Sequence, residues 1–186
     1  MSAVPSWLSL VVADLKHSSE WYASALGCEV DDRGPTWACL RFPNRTIVEL
    51  TAGDPARPSL SNTSYSRDSA SPLIPGYAVD DPLLAAAGLR IVRRFPDWIL
   101  VAAPGGLHTV LHQHEVGPGR GLVGFRYTCP DAGAQRAFLA GLGRDDPVLS
   151  GPTPAVVPII LSNRGGTEKD PDGNDLQLIT RRAPAP

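Results

Sequence analysis

The sequence predicts an α+β fold assembled from repeated βαβββ units. Three observations carry that expectation. The stretch Asp170-Pro171-Asp172-Gly173-Asn174-Asp175-Leu176-Gln177-Leu178 is a turn followed by a strand: Asp-Pro starts the turn, and Asp-Gly-Asn supplies residues that tolerate positive φ. A looser copy, Ala103-Pro104-Gly105-Gly106-Leu107-His108-Thr109-Val110-Leu111, lies upstream, and two copies of one turn imply a repeated supersecondary unit. Ahead of both, an apolar run, a capped helix and three short strand candidates follow one another without interruption.

The first unit spans about residues 6–52. Leu8–Val12 is an apolar run long enough for a buried strand. Asp14 caps a helix over Leu15–Leu26, with Lys16 and Glu20 at i,i+4 spacing, and Gly27 closes it. Strands are expected at Cys28–Asp31, Thr36–Phe42 and Arg45–Thr51. Residues 53–72, rich in Ser, Asn, Pro, Asp and Gly, form a linker or long loop.

The second unit spans about 73–115. It has a strand at Gly76–Val79 and a short helix at Leu83–Ala87 opened by Pro82 and stopped by Gly88. Strands at Arg90–Phe95, Trp98–Ala102 and His108–His114 complete it. These two units are expected to pair within residues 1–116. Val116–Gly121 is a glycine-rich boundary; it lacks the lysine of a phosphate-binding loop and precedes a strand, which excludes that reading.

Residues 117–186 read as a third, weaker βαβββ-like unit. Leu122–Cys129 is a strand, Asp131 caps a helix through Leu142, and Asp145–Pro154 is broken by prolines. Strands at Val156–Ser162 and Leu176–Thr180 flank a loop over Arg164–Asn174. Pro158 places the former at a sheet edge or a bulge, and the tail Ala183–Pro186 is expected to fray.

A net charge of −2 gives no electrostatic reason to expect nucleic acid or an anionic membrane as partner. The apolar runs are far short of a membrane span, and the first residues do not form a signal peptide, so a cytoplasmic location is expected. The three cysteines, Cys28, Cys39 and Cys129, have no metal-site spacing and fit reduced, buried thiols. Basic charge is almost all arginine, Lys16 and Lys169 being the only lysines; with the Ala, Gly and Pro richness this points to a bacterial, high-GC coding sequence.

With Asp14-Leu15, Ser18, Trp21-Tyr22 and Leu26-Gly27 at the front and Asp170-Pro171-Asp172-Gly173-Asn174 near the end, the chain resembles the vicinal oxygen chelate superfamily. That superfamily contains glyoxalase I, bleomycin-resistance proteins and extradiol dioxygenases. The resemblance implies a curved mixed sheet of paired modules with a cup on one face and helices on the outer face. It also implies metal-ligand positions on the first and last strands of each module, here Trp7, Glu49, Ile74 and Val110, with Gly124 and Gln177 in the third unit. Of the first four, only Glu49 is a possible ligand, and a catalytic divalent ion normally needs three or more. No metal and no other cofactor is therefore expected.

Other chemistry is available in the cup. His108, Val110, His112 and His114 fall on one face of a strand, because side chains alternate with period two. His108 and His112 stand about 13 Å apart along an extended backbone, too far for one ion but placed for acid–base or hydrogen-bonding roles with Glu49. Trp7 offers an indole where a ligand residue would stand, and Trp37 and Trp98 lie on candidate strands that add to it. The expected ligand-binding set is thus Trp7, Trp37, Trp98 and Val110.

The function expected first is a metal-independent protein of the bleomycin-resistance type, binding an apolar or aromatic compound to sequester or carry it. An enzyme of a tailoring or catabolic pathway (lyase, isomerase or cyclase) using the cup His and Glu is the alternative, and a metalloenzyme with a rearranged site is the third. Three units suggest pairing across a homodimer, since a lone unit leaves a long edge uncovered.

Overall fold

The computed structural model describes residues 2–56, 69 and 71–180. Most of the expected linker and the C-terminal tail lie outside the described residues. Among the described residues thirteen strands pair into two mixed sheets, accompanied by three α-helices and a short 3-10 turn at Pro104–Gly106.

The first sheet has eight strands in the order β2-β3-β4-β1-β5-β8-β7-β6. They are β1 (Val4–Val12), β2 (Glu29–Arg33), β3 (Trp37–Arg41), β4 (Ile47–Ala52), β5 (Leu73–Ala78), β6 (Arg90–Arg94), β7 (Trp98–Ala102) and β8 (His108–His112). Each half is a βαβββ unit whose first strand lies parallel to its last, β1 with β4 and β5 with β8. The halves join through an antiparallel β1–β5 pair. Helix α1 (Leu15–Leu26) begins where expected, with Asp14 accepting a hydrogen bond from the His17 amide at 2.9 Å. It stops at Gly27 in the left-handed conformation. α2 is a single turn, Pro82–Ala85, and β5 starts at Leu73 rather than Gly76.

The second sheet has five strands, β10-β9-β11-β13-β12. They are β9 (Gly121–Cys129), β10 (Val148–Ser150), β11 (Ala155–Leu161), β12 (Gly166–Lys169) and β13 (Asp175–Ile179), with α3 (Ala132–Gly141) after β9. Its pairings are β10 parallel to β9, β9 antiparallel to β11, β11 parallel to β13 and β13 antiparallel to β12. That sequence of senses matches β4-β1-β5-β8-β7 of the larger sheet. The stretch read as one weak unit therefore has the topology of two trimmed units side by side. Pro158 does not put β11 at an edge: β11 is the middle strand. Pairing with β13 begins only at Ile159, and the register shifts after it, so the missing N–H falls where β11 has one neighbour.

The sheets stack with β1 and β5 against β9 and β11. Leu8, Leu10, Val12 and Tyr77 from one sheet share a core with Phe125, Tyr127, Val156, Ile160, Leu176 and Leu178 from the other, and Tyr22 and Leu26 of α1 join it. Two buried polar clusters fix the stack. The Tyr77 hydroxyl donates to Asp146 at 3.1 Å and meets the Tyr127 hydroxyl at 2.6 Å, while Arg144 forms a two-pronged pair with Asp146 at 2.9 and 3.0 Å. At the other end, the 170–174 turn closes on α1. Tyr22 donates to Asp170 at 3.0 Å, and the Ala13 amide and Ser18 hydroxyl donate to Asp172 at 2.9 and 3.2 Å.

Candidate functional site

The face of the large sheet turned away from the small one is the cup face. Directly paired residues share a face, so the registers define its rows. One row runs Arg41, Ile47, Trp7, Gly76, Val110, Leu100, Arg93. The next runs Cys39, Glu49, Ser9, Ile74, and two residues before Val110 on β8 it reaches His108, which pairs with Ala102. On the other side of the Trp7 row, Ala78, His112 and Trp98 line up.

A cavity of about 160 Å³ opens at that end of the cup. It is lined by Trp7, Trp98, Val110 and His112 from the strands and by Asp97, Gln113 and His114 from the strand ends. Val110, part of a small apolar cluster with Val11, Ile74 and Leu100, gives the cavity its aliphatic surface, and Trp98 packs against that cluster. Gly76 sits opposite Trp7, where an added Cβ would come within 2.6 Å of the Trp7 Cβ, so the absent side chain is what lets the indole stand in the cup.

The residues beneath the cavity are tied to one another. Trp7 Nε1 donates to Ser9 Oγ at 2.9 Å and Glu49 Oε2 at 3.1 Å, and Ser9 donates to the same carboxylate oxygen at 3.0 Å. Ser6 is the extra residue of a bulge between Pro5 and Trp7. Its hydroxyl lies 2.7 Å from His112 Nε2. The His112 ring meets Trp7 edge-on at 5.4 Å and His114 at 5.4 Å. Burial first, and then the neighbouring His114, pulls the His112 imidazole down to about 4, against an upward pull from a backbone hydrogen bond at Gln113. His112 is therefore neutral at pH 7 and acts through hydrogen bonding. His114 Nε2 lies 2.7 Å from the Arg45 carbonyl, and Arg45 itself pairs with Glu115 at 2.6 Å.

Four of the seven residues singled out by sequence, Trp7, Trp98, Val110 and His112, thus come together around one cavity. The other three stand apart from it. Glu49 is buried under Trp7. His108 is buried on the cup face one row beyond Val110. Trp37 lies two strands out from β1, about 10 Å across the sheet, and lines a separate cleft of about 610 Å³ between α1 and the β2–β3 hairpin. His114, read on the same strand face as His112, joins the cavity although it was not among the candidate site residues, and Asp97 and Gln113 were not foreseen. Asp97 sits on a turn and Gln113 just past a strand end, where period-two alternation no longer says which way a side chain points.

The four metal positions implied by the resemblance do not form one row: Trp7 and Val110 share one, Glu49 and Ile74 the next. The Glu49 row offers Cys39, Glu49 and His108, but Ser9 and Ile74 separate His108 from the other two. Among the described residues no group of three or more His, Cys, Asp or Glu converges. On the small sheet Gln177 accepts from Arg126 at 3.5 Å beside Gly124 and Ile159. A guanidinium there opposes a metal ion. The donor set does not fit a catalytic divalent ion, which normally takes three or more protein ligands.

No family model and no curated protein matches the sequence. Solved structures do match. The homoprotocatechuate 2,3-dioxygenase of Arthrobacter globiformis superposes with a TM-score of 0.72 at 18% identity, covering 97% of this chain and 80% of that one. The chain has the vicinal oxygen chelate fold. The Brevibacterium fuscum homoprotocatechuate 2,3-dioxygenase in complex with 3,4-dihydroxyphenylacetate gives a TM-score of 0.68 at 16% identity, covering 95% of this chain and 80% of that one. An extradiol ring-cleaving dioxygenase from B. fuscum gives 0.66 at 15%, covering 95% and 71%. No helix among the described residues is long and apolar enough to cross a membrane.

Proposed function

We propose that this protein binds a small apolar or aromatic compound in the cup of its eight-stranded sheet, without a metal, as a binding or carrying protein on a dioxygenase-type scaffold. One observation carries the reading: two indoles, the Val110 side chain and a neutral imidazole converge on one cavity. Pockets that hold small molecules are mostly apolar with a few placed polar groups. The low pKa of His112 makes it a poor proton acceptor at pH 7, so it supports hydrogen bonding to a ligand better than acid–base turnover. Burial pushes the Cys28 and Cys39 thiols up to about 12, which argues against a thiol nucleophile. The three free cysteines support a reducing, cytoplasmic setting, and a homodimer belongs to the same proposal.

Titration of intrinsic tryptophan fluorescence with a panel of single-ring aromatics tests it. Trp7→Ala is expected to weaken binding about tenfold at unchanged fold, from lost burial and stacking together. Unchanged affinity would remove the ligand from this cup. His112→Ala is expected to change affinity alone; a loss of about 10²–10⁴-fold in a turnover reaction would instead make it an enzyme.

A second reading, a ring-cleaving dioxygenase with a rearranged metal site, is favoured by what the solved neighbours are named for. Dialysis against Fe(II) or Mn(II), elemental analysis, and oxygen uptake with 3,4-dihydroxyphenylacetate decide it. About one tightly held metal per chain with catechol-dependent oxygen uptake would establish this reading over the first.

A further inference from the structure

We infer that the cavity selects an organic cation, an ammonium carried on an apolar body, over neutral or anionic compounds of the same shape. This rests on the cup being the binding site, and it goes further by fixing the ligand's charge.

The seven lining residues include no lysine and no arginine, and one carboxylate, Asp97. Asp97 forms no salt bridge among the described residues. Arg94 shares a neighbouring cleft with it but makes no ion pair to it, and Arg45, the cation behind His114, is already paired with Glu115. The one fixed charge among the lining residues is the Asp97 carboxylate, which attracts a cation and repels an anion.

The aromatic walls point the same way. Trp98 lines the cavity with its ring held by stacking on Phe95 at 4.1 Å, and Phe95 itself belongs to the neighbouring cleft. Trp7 donates its N–H to the Glu49 carboxylate beneath it. Hydrogen bonds polarise their partners, and a carboxylate acceptor pushes electron density into the indole, strengthening its attraction for a cation. Two indoles and one carboxylate around about 160 Å³ suit a single head group; drug-sized pockets run to roughly 300–1,000 Å³.

Calorimetric titration of the intact protein with three probes tests this: benzyltrimethylammonium, its neutral isostere neopentylbenzene, and the anion 3,4-dihydroxyphenylacetate. The cation is expected to bind about tenfold tighter than the neutral probe, and the anion weakest. Asp97→Asn, at an exposed turn, is expected to lower cation affinity roughly three- to fivefold and leave the neutral probe unchanged, with an unaltered melting temperature. Trp98→Leu is expected to remove most of the remaining preference. Equal or tighter binding of the neutral or anionic probe, still sensitive to Trp7→Ala, would overturn the charge selection and leave the cup as the site. Failure of all three probes to bind would overturn both.

Discussion

Tyr22 and Asp170 are 148 residues apart in sequence and 3.0 Å apart in the structure, and their hydrogen bond is buried. The helix that opens the chain and the turn near its end are two halves of one clasp. Asp170 also accepts the Asp172 and Asn174 amides at 3.0 and 2.8 Å and the Asn174 side chain at 2.9 Å. Tyr22→Phe is expected to cost about 1 kcal/mol, the net value of one hydrogen bond, while Asp170→Ala, which strands several donors, costs about 3 kcal/mol. Urea midpoints give both numbers; equal stability of the two variants would show that the turn holds its shape without the carboxylate.

Gly173 has φ of 84° and no atom within 4 Å of where a Cβ would lie. Gly173→Val is therefore a pure backbone test, expected to destabilise by about 1–3 kcal/mol. Gly173→Asn, which tolerates the left-handed region, should recover most of that loss. Matching melting temperatures for Val and wild type would refute the strain.

At Gly76 the cause is steric. The Cβ of Gly76→Ala meets the Trp7 Cβ and must displace it, at about 1–3 kcal/mol by analogy with overpacked cores. The expected signature is a shifted tryptophan emission and a lost ligand response with secondary structure intact. A normal ligand titration in this variant would separate Trp7 from the binding event.

His112 gives a pH dependence whose sign follows from its depressed pKa. The fold favours the neutral ring, so its contribution to stability is complete above pH 6.5 and is lost as pH falls toward about 4. The difference amounts to about 3 kcal/mol at the acid end. His112→Gln should flatten that part of the stability–pH curve relative to wild type. Parallel curves from pH 7 to pH 4 would mean that the ring is solvated.

The sequence made the large sheet legible because its first strand, helix and turns carry strong local signals: the Asp14 cap, the Gly27 stop and the apolar run of β1. The small sheet was harder. β10 has three residues and lies in a proline-rich stretch. β12 reads Gly-Thr-Glu-Lys, polar and exposed, without alternation. Such strands are formed by their partners, and single-sequence patterns do not register partners. The same divide runs through the site. Trp7 and Val110 were placed by the family resemblance, and His112 by strand parity counted from Val110. Asp97 and Gln113 depend on how a turn and a strand end are oriented, and Ser6 reaches His112 only because of a bulge.

The two sheets share their main hydrophobic layer. Tyr77 lies against Phe125 with ring centres 5.5 Å apart, and the buried strands on both sides contribute to one shared layer. Unfolding is therefore cooperative across the chain: one calorimetric transition, with no stage at which the five-stranded sheet has melted and the eight-stranded one survives. A chain divided within Val116–Gly121 gives two fragments, each with a bare apolar face, and these aggregate unless they are refolded together.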